Sequence, residues 1–128
     1  MMLLYVTLGS NNLLRAKLFY DAVMPCLGQV LRRGDDTELC YGQPGDTGIC
    51  LWIDTPFNGQ PASIGNGSML AFDAPTRAAV DAFYDAGLAH GGTDEGAPGL
   101  RPYGPHFYAC YLRDPDGNKL SAVCETPQ

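Results

Sequence analysis

The chain repeats itself. KLFYDAVMPCLGQ, starting at Lys17, and DAFYDAGLAHGGT, starting at Asp81, stand 64 positions apart. Phe19, Tyr20, Asp21 and Ala22 coincide with Phe83, Tyr84, Asp85 and Ala86, and Gly28 coincides with Gly92. The same offset lays YVTL (5–8) on MLAF (69–72). Four identities in a row could arise by chance in one pair of helices. A helix matched together with its preceding strand and following glycine points to a duplicated unit. The fold must therefore be assembled from two copies of one plan.

That plan is readable in each copy. LLYVTL (3–8) has the branched, aromatic and alternating character of a strand. Asn11 or Asn12 caps a following helix. Ala16, Phe19, Tyr20, Val23 and Met24 recur at the spacing of one helix face, and Pro25 and Gly28 end the run. In the second copy Val80, Phe83, Tyr84, Gly87 and Leu88 form the same face. Pro75 and Thr76 supply its start, and Gly91-Gly92 its stop. QVLRR, TELCYG and GICLWID follow the first helix as strands, with turns at Gly34–Asp36 and Gln43–Asp46. After the second helix come a weak strand, GTDEGA, and a loop, PGLRPYGP. HFYACYLR and KLSAVC then form strands joined by DPDGN, a hairpin signal. TPFNGQPASIGNG (55–67) is the connecting loop. The reading is an α+β chain, one domain over 1–128, with module one at about 1–60 and module two at about 66–128. A single βαβββ unit has too little apolar face to stand alone. Two units are expected to merge into one curved mixed sheet, with helices on its outer face and a cleft on the other.

Composition narrows the function. The net charge is −6 and the eight Lys and Arg are scattered, which argues against nucleic acid or an anionic membrane as partner. No apolar run reaches the ~20 residues of a membrane span. The start, MMLLYVTLGS, lacks the basic and long apolar regions of a signal peptide. The five cysteines are odd in number and include no CxxC pair, so neither a disulfide framework nor a zinc ribbon is expected. Buried thiols in a reduced, cytoplasmic protein are the reading. No nucleophile elbow, GxGxxG or P-loop is present.

Paired βαβββ modules, a first strand ending VTLG, FYDA in the helix and a final strand–DPDGN–strand resemble the vicinal oxygen chelate superfamily. That superfamily includes glyoxalase I, bleomycin-resistance proteins, fosfomycin-resistance enzymes and extradiol dioxygenases. The resemblance implies a sheet cleft that, in metal-using relatives, holds a divalent ion on a His of the first strand, a His at the start of the second module and a Glu of the last strand. Some members add a carboxylate from the fourth strand. Carried onto this chain, those positions fall on Tyr5, Met69 and Ser121, with Cys50 or Trp52 at the fourth-strand position. None of the first three is a good ligand for a hard divalent ion. No cofactor is therefore expected, and a divalent metal is disfavoured.

Strand alternation gives the remaining candidates. Tyr5 shares a face with Thr7, Met69 with Ala71 and Asp73, and Ser121 with Val123. If Arg113 pairs with Lys119, Tyr111, Ala109 and Phe107 join the face of Ser121; a one-residue slip would put Tyr108, Cys110 and Leu112 there instead. Trp52 and Tyr103 complete an aromatic, apolar ligand-binding cleft with a few hydroxyls, the composition of a small-molecule pocket. His106, in RPYGPHFY, is the candidate for acid–base work, because an imidazole titrates near ~6.5. His106 at the start of the seventh strand would share a side with Cys110, a conceivable but unsupported metal pair. His90 reads as a solvated helix-end residue. Three functions follow: a metal-free binder of a small aromatic or amphipathic molecule; a lyase, isomerase or dioxygenase-like enzyme, metal-independent or with displaced ligands; or a non-catalytic dimer with a filled cleft. The resemblance also implies a homodimer.

Overall fold

The computed structural model describes residues 2–45 and 48–128. Asp46, expected at the end of a turn, lies outside the described residues. Module one runs β1 (Tyr5–Gly9), α1 (Leu13–Val23), β2 (Val30–Gly34), β3 (Glu38–Gly42) and β4 (Cys50–Asp54). Module two runs β5 (Leu70–Asp73), α2 (Arg77–Ala89), β6 (Thr93–Leu100), β7 (Tyr108–Arg113) and β8 (Lys119–Cys124). Each helix starts where its capping signal places it. Asn12 accepts a hydrogen bond from the Arg15 amide at 3.0 Å, and Thr76 from the Ala79 amide at 3.0 Å. After Val23 a 3-10 turn (Met24–Leu27) carries the chain to Gly28, whose φ of 75° closes it.

The strands form two four-stranded mixed sheets, ordered β1-β4-β3-β2 and β5-β8-β7-β6. They are two separate sheets rather than the one merged sheet expected, and β1 and β5 are both edge strands. Two segments differ from the sequence reading. β6 is eight residues long and takes in Pro98, Gly99 and Leu100, which were expected in a loop. Its register against β7 shifts twice, at Asp94/Gly96 and Gly96/Gly99. Those bulges let a glycine-rich, proline-bearing segment stay paired. β7 begins at Tyr108, so His106 stays in the preceding loop.

One face of each sheet packs on the helices. Leu39, Tyr41, Leu51 and Ile53 of module one join Cys110, Leu112, Leu120 and Ala122 of module two in a single core with Phe19, Val23, Val80 and Phe83. A Cβ added to Gly87 of α2 would come within 2.8 Å of Leu112 and 3.4 Å of Phe19. The missing side chain is what lets α2 settle onto β7 and α1.

Polar contacts then fasten the modules together at the DPDGN turn. The buried Tyr20 hydroxyl of α1 donates to Asp114 Oδ2 at 2.5 Å. Asn118 Nδ2 donates to the same oxygen at 2.9 Å and to the Gly9 carbonyl at 3.1 Å. Asp116 Oδ1 accepts from the Asn11 amide and from Arg15 Nη2, both at 2.8 Å. The connecting loop is tied down by Asn11, which bonds the Ala62 amide and carbonyl. Asp114 is 3 % exposed, so its charge is carried by these donors and by the amides of Asp116 and Asn118. A turn that suits a hairpin is therefore also the polar joint between modules.

Candidate functional site

The open faces of the two sheets are built on equivalent rows. In sheet one Thr7 stands beside Trp52, Trp52 beside Cys40, and Cys40 beside Arg33. In sheet two Ala71 stands beside Ser121, Ser121 beside Tyr111, and Tyr111 beside Gly96. Thr7 and Ala71 are 64 residues apart, so Trp52 is the counterpart of Ser121. By this internal equivalence Trp52, and not Cys50, stands in module one where Ser121 stands in module two.

Sheet one keeps this face open. A depression of about 610 Å³ lies on it, lined by Val30, Arg32, Arg33, Cys40, Cys50 and Trp52, with Pro44 and Gly45 at its rim. Strict alternation would send Arg32 and Arg33 to opposite faces. A register shift between Leu31 and Arg33 leaves Arg32 as an extra residue, and both arginines line the depression. The Arg33 guanidinium carbon sits 5.2 Å from the Trp52 ring centre. Arg32 crosses Gly42, where a Cβ would come within 2.8 Å of Nη1, and Nη1 donates to Cys50 Sγ at 2.9 Å. Burial, and then the neighbouring Cys50 thiol, raise the pKa of Cys40. At the far end of the same face Glu38 pairs with Asp54, whose carboxyl pKa is raised by burial and then by Glu38. The face is polarised, with cations at one end and carboxylates at the other.

Sheet two fills the equivalent space with its own side chains. Tyr111 carries the Arg101 guanidinium at 5.4 Å and Lys119 Nζ at 5.8 Å from its ring centre. Ser121 is fully buried, and its Oγ has no hydrogen-bond partner among the described residues.

The residues expected at the cleft are thus divided. Tyr5, Thr7 and Trp52 share the open face of sheet one, Tyr5 opposite Cys50. Tyr111 and Ser121 share that of sheet two, and Met69 directly precedes β5. Tyr5 is 57 % and Met69 47 % exposed, whereas Ser121 is sealed. Tyr103 packs edge-on against Phe107 at 5.3 Å in the loop before β7, and His106 lies half-buried in that loop. Cys110 faces the core, with its thiol near the Val80 carbonyl and its pKa raised by burial to about 11. His106 and Cys110 therefore do not share a strand face. His90 is exposed, and its Nδ1 lies 2.8 Å from the Ala86 carbonyl.

A phenol, a thioether and a sealed alcohol do not fit a hard divalent ion. Among the described residues, no group of three or more His, Cys, Asp or Glu is arranged to hold a metal. The sequence reading missed Arg32, Arg33 and Cys40. Two adjacent arginines in a strand read as one inward and one outward, and nothing in QVLRR marks the bulge.

A second groove, about 540 Å³, separates the edge strands. Leu3, Val6, Leu70 and Phe72 line it, above Met24 and Leu27 of the 3-10 turn. No helix among the described residues is long and apolar enough to cross a membrane.

Known proteins share this architecture. A glyoxalase/bleomycin resistance protein from Albidiferax ferrireducens T118 is 42 % identical and superimposes with a TM-score of 0.88, covering 98 % of this chain and 100 % of its own. A glyoxalase-related enzyme from Fulvimarina pelagi is 21 % identical, with a TM-score of 0.76 over 97 % of this chain and 88 % of its own. A glyoxalase/bleomycin resistance protein/dioxygenase family enzyme from Burkholderia phytofirmans PsJN gives 20 % and 0.71, over 96 % and 98 %. The last two likenesses speak for the fold alone. None of the curated proteins compared with the chain matches it. The family profile matches residues 3–121, and with duplicated modules, edge strands and open sheet faces in place, the chain belongs to the glyoxalase/bleomycin resistance protein/dioxygenase superfamily.

Proposed function

We propose that the protein binds a small aromatic or amphipathic molecule on the open face of its first sheet, without a divalent metal at the family's usual ligand positions. The observation that carries this reading is the depression floored by Trp52, set beside a donor set of Tyr5, Met69 and Ser121. Its size suits a small organic molecule. Its one aromatic ring and two thiols offer apolar contact, while the arginines offer orientation.

The working unit is a homodimer. β1 and β5 present unpaired edges on either side of an apolar groove; Leu3 lines it, and Leu4, Tyr5 and Met69 stand exposed at the starts of these two strands. Unpaired edges beside exposed apolar side chains are an association surface. A second copy laid across the groove would set the first sheet of one protomer against the second sheet of the other, giving the open face its missing wall.

Two measurements test the reading. Metal analysis of protein purified without chelator should find no stoichiometric Fe, Mn, Ni or Zn; one equivalent of any of them defeats the metal-free reading. Sedimentation should give a dimer, and Leu4→Lys should shift it to monomer. A wild-type monomer at working concentrations defeats the dimer.

A further inference from the structure

We infer that the molecule taken by this face is an organic carboxylate with a flat apolar body, its carboxylate held by Arg33 and its body lying along Trp52, Cys40 and Cys50. This rests on the small-molecule reading above and adds the chemical class.

The argument begins with where the cations lie. The chain carries a net charge of −6, with only eight Lys and Arg. Arg15, Lys17 and Arg113 are paired with Asp116, Asp21 and Glu95. Arg33 makes no ion pair or hydrogen bond among the described residues; its neighbours are the Trp52 ring at 5.2 Å and, at longer electrostatic range, Asp35. The ring beneath holds the guanidinium over the depression by a cation–π contact, and none of its N–H donors is engaged by a hydrogen-bond partner among the described residues. That is a prepared fork for a planar, two-oxygen acceptor. The bulge in β2 brings Arg32 to the same depression, where its Nη1 donates to Cys50 Sγ. The bare Gly42 gives Arg32 room to lie flat on the sheet.

The charges facing this site from neighbouring strands agree with an anion. Glu38 and Asp54 share the face but lie in the next row, beyond Trp52 and Cys40. Asp35, beyond the end of β2, is occupied by the Thr37 and Glu38 amides. A carboxylate directed to the arginine end therefore leaves its apolar body over the ring and thiols, clear of the acidic end. A phosphate without a body would use the charge and waste the apolar floor.

Trp52 is the only tryptophan, so its emission reports the site directly. The full-length protein is titrated with phenylacetate, with its neutral isostere phenylacetamide and with inorganic phosphate. Phenylacetate should perturb Trp52 saturably and bind at least about tenfold tighter than the amide. Arg33→Gln, on an exposed side chain that leaves folding intact, should abolish that preference. Phosphate should compete poorly. Equal affinity for acid and amide, or a preference that survives in Arg33→Gln, overturns the carboxylate inference while leaving a small-molecule site. Phosphate competing as well as phenylacetate overturns the claim of a flat apolar body. If neither aromatic probe perturbs Trp52, the small-molecule reading falls with it.

Discussion

Trp52 and Ser121 occupy the same place in the two modules, one residue across from Thr7 and the other across from Ala71. Around Trp52 the sheet surface is open and cationic. Around Ser121 it is closed, because Tyr111 carries Arg101 and Lys119 over its ring. The helices diverge in the same way. Phe19 and Phe83 are both fully buried. Tyr20 is buried and bonded to Asp114, whereas its twin Tyr84 bonds to Asp94 at the surface, at 2.9 Å. Duplication has preserved the apolar plan, which any helix-on-sheet unit needs. The polar positions have been spent differently, on a joint in one module and on a binding face in the other.

The largest expected asymmetry is at the joint. Asp114→Ala strands the Tyr20 hydroxyl and three other donors, the Asp116 and Asn118 amides and Asn118 Nδ2, at a buried turn, and should cost about 3 kcal/mol in urea unfolding. Asp94→Ala removes the partner of Tyr84 and should leave the midpoint unchanged. Equal losses would break the comparison.

Tyr20→Phe keeps the ring and should cost about 1–2 kcal/mol, while Tyr84→Phe should be neutral. The same residue gives a pH signature. Burial first, and then Asp114, raise the pKa of Tyr20; burial and then Asp21 raise that of Tyr41. In the unfolded chain both phenols ionise near ~10, so their contribution is complete below that pH and is lost as pH rises above it. Melting temperature should fall steeply on the alkaline side of ~10. In an ultraviolet titration, two of the seven tyrosines should ionise only on unfolding. Ready titration of all seven would refute the burial argument.

Ser121→Ala should raise stability by up to ~1 kcal/mol, since the hydroxyl it deletes is buried without a partner. Thr7→Ala, on the open row, should do nothing. A loss at Ser121 would reveal a bond the geometry does not contain. The smallest effect is expected at Gly42→Ala. The added methyl meets the side chain of Arg32 before any backbone, so stability should change by less than ~0.5 kcal/mol while Arg32 is displaced. A large destabilisation would mean that Arg32 cannot yield.

The repeat, the capping residues and the hairpin at DPDGN were legible because each is a local pattern: a helix period, an oxygen placed to meet the N-terminal amides, a turn-forming pentad. The Tyr111–Ser121 pairing was one of two registers that the turn left open, and it is the one formed, with Arg113 against Lys119. The pairing of Arg33 with Cys40 could not be read so, because a bulge is one extra residue that strand propensity does not record. Nor could the fate of the eight strands be read. Two sheets with edge strands β1 and β5 satisfy the same alternation as one continuous sheet. The sequence by itself determined the modules, their apolar faces and the poverty of metal donors at Tyr5, Met69 and Ser121, since these depend on residue type and spacing. Tertiary structure alone decided that DPDGN joins the modules, that Ser121 is sealed and that two arginines share a face with Trp52. The joint depends on residues about a hundred positions apart meeting, as Tyr20 and Asp114 do with a separation of 94, and the shared arginine face depends on a bulge in strand pairing that residue type does not record.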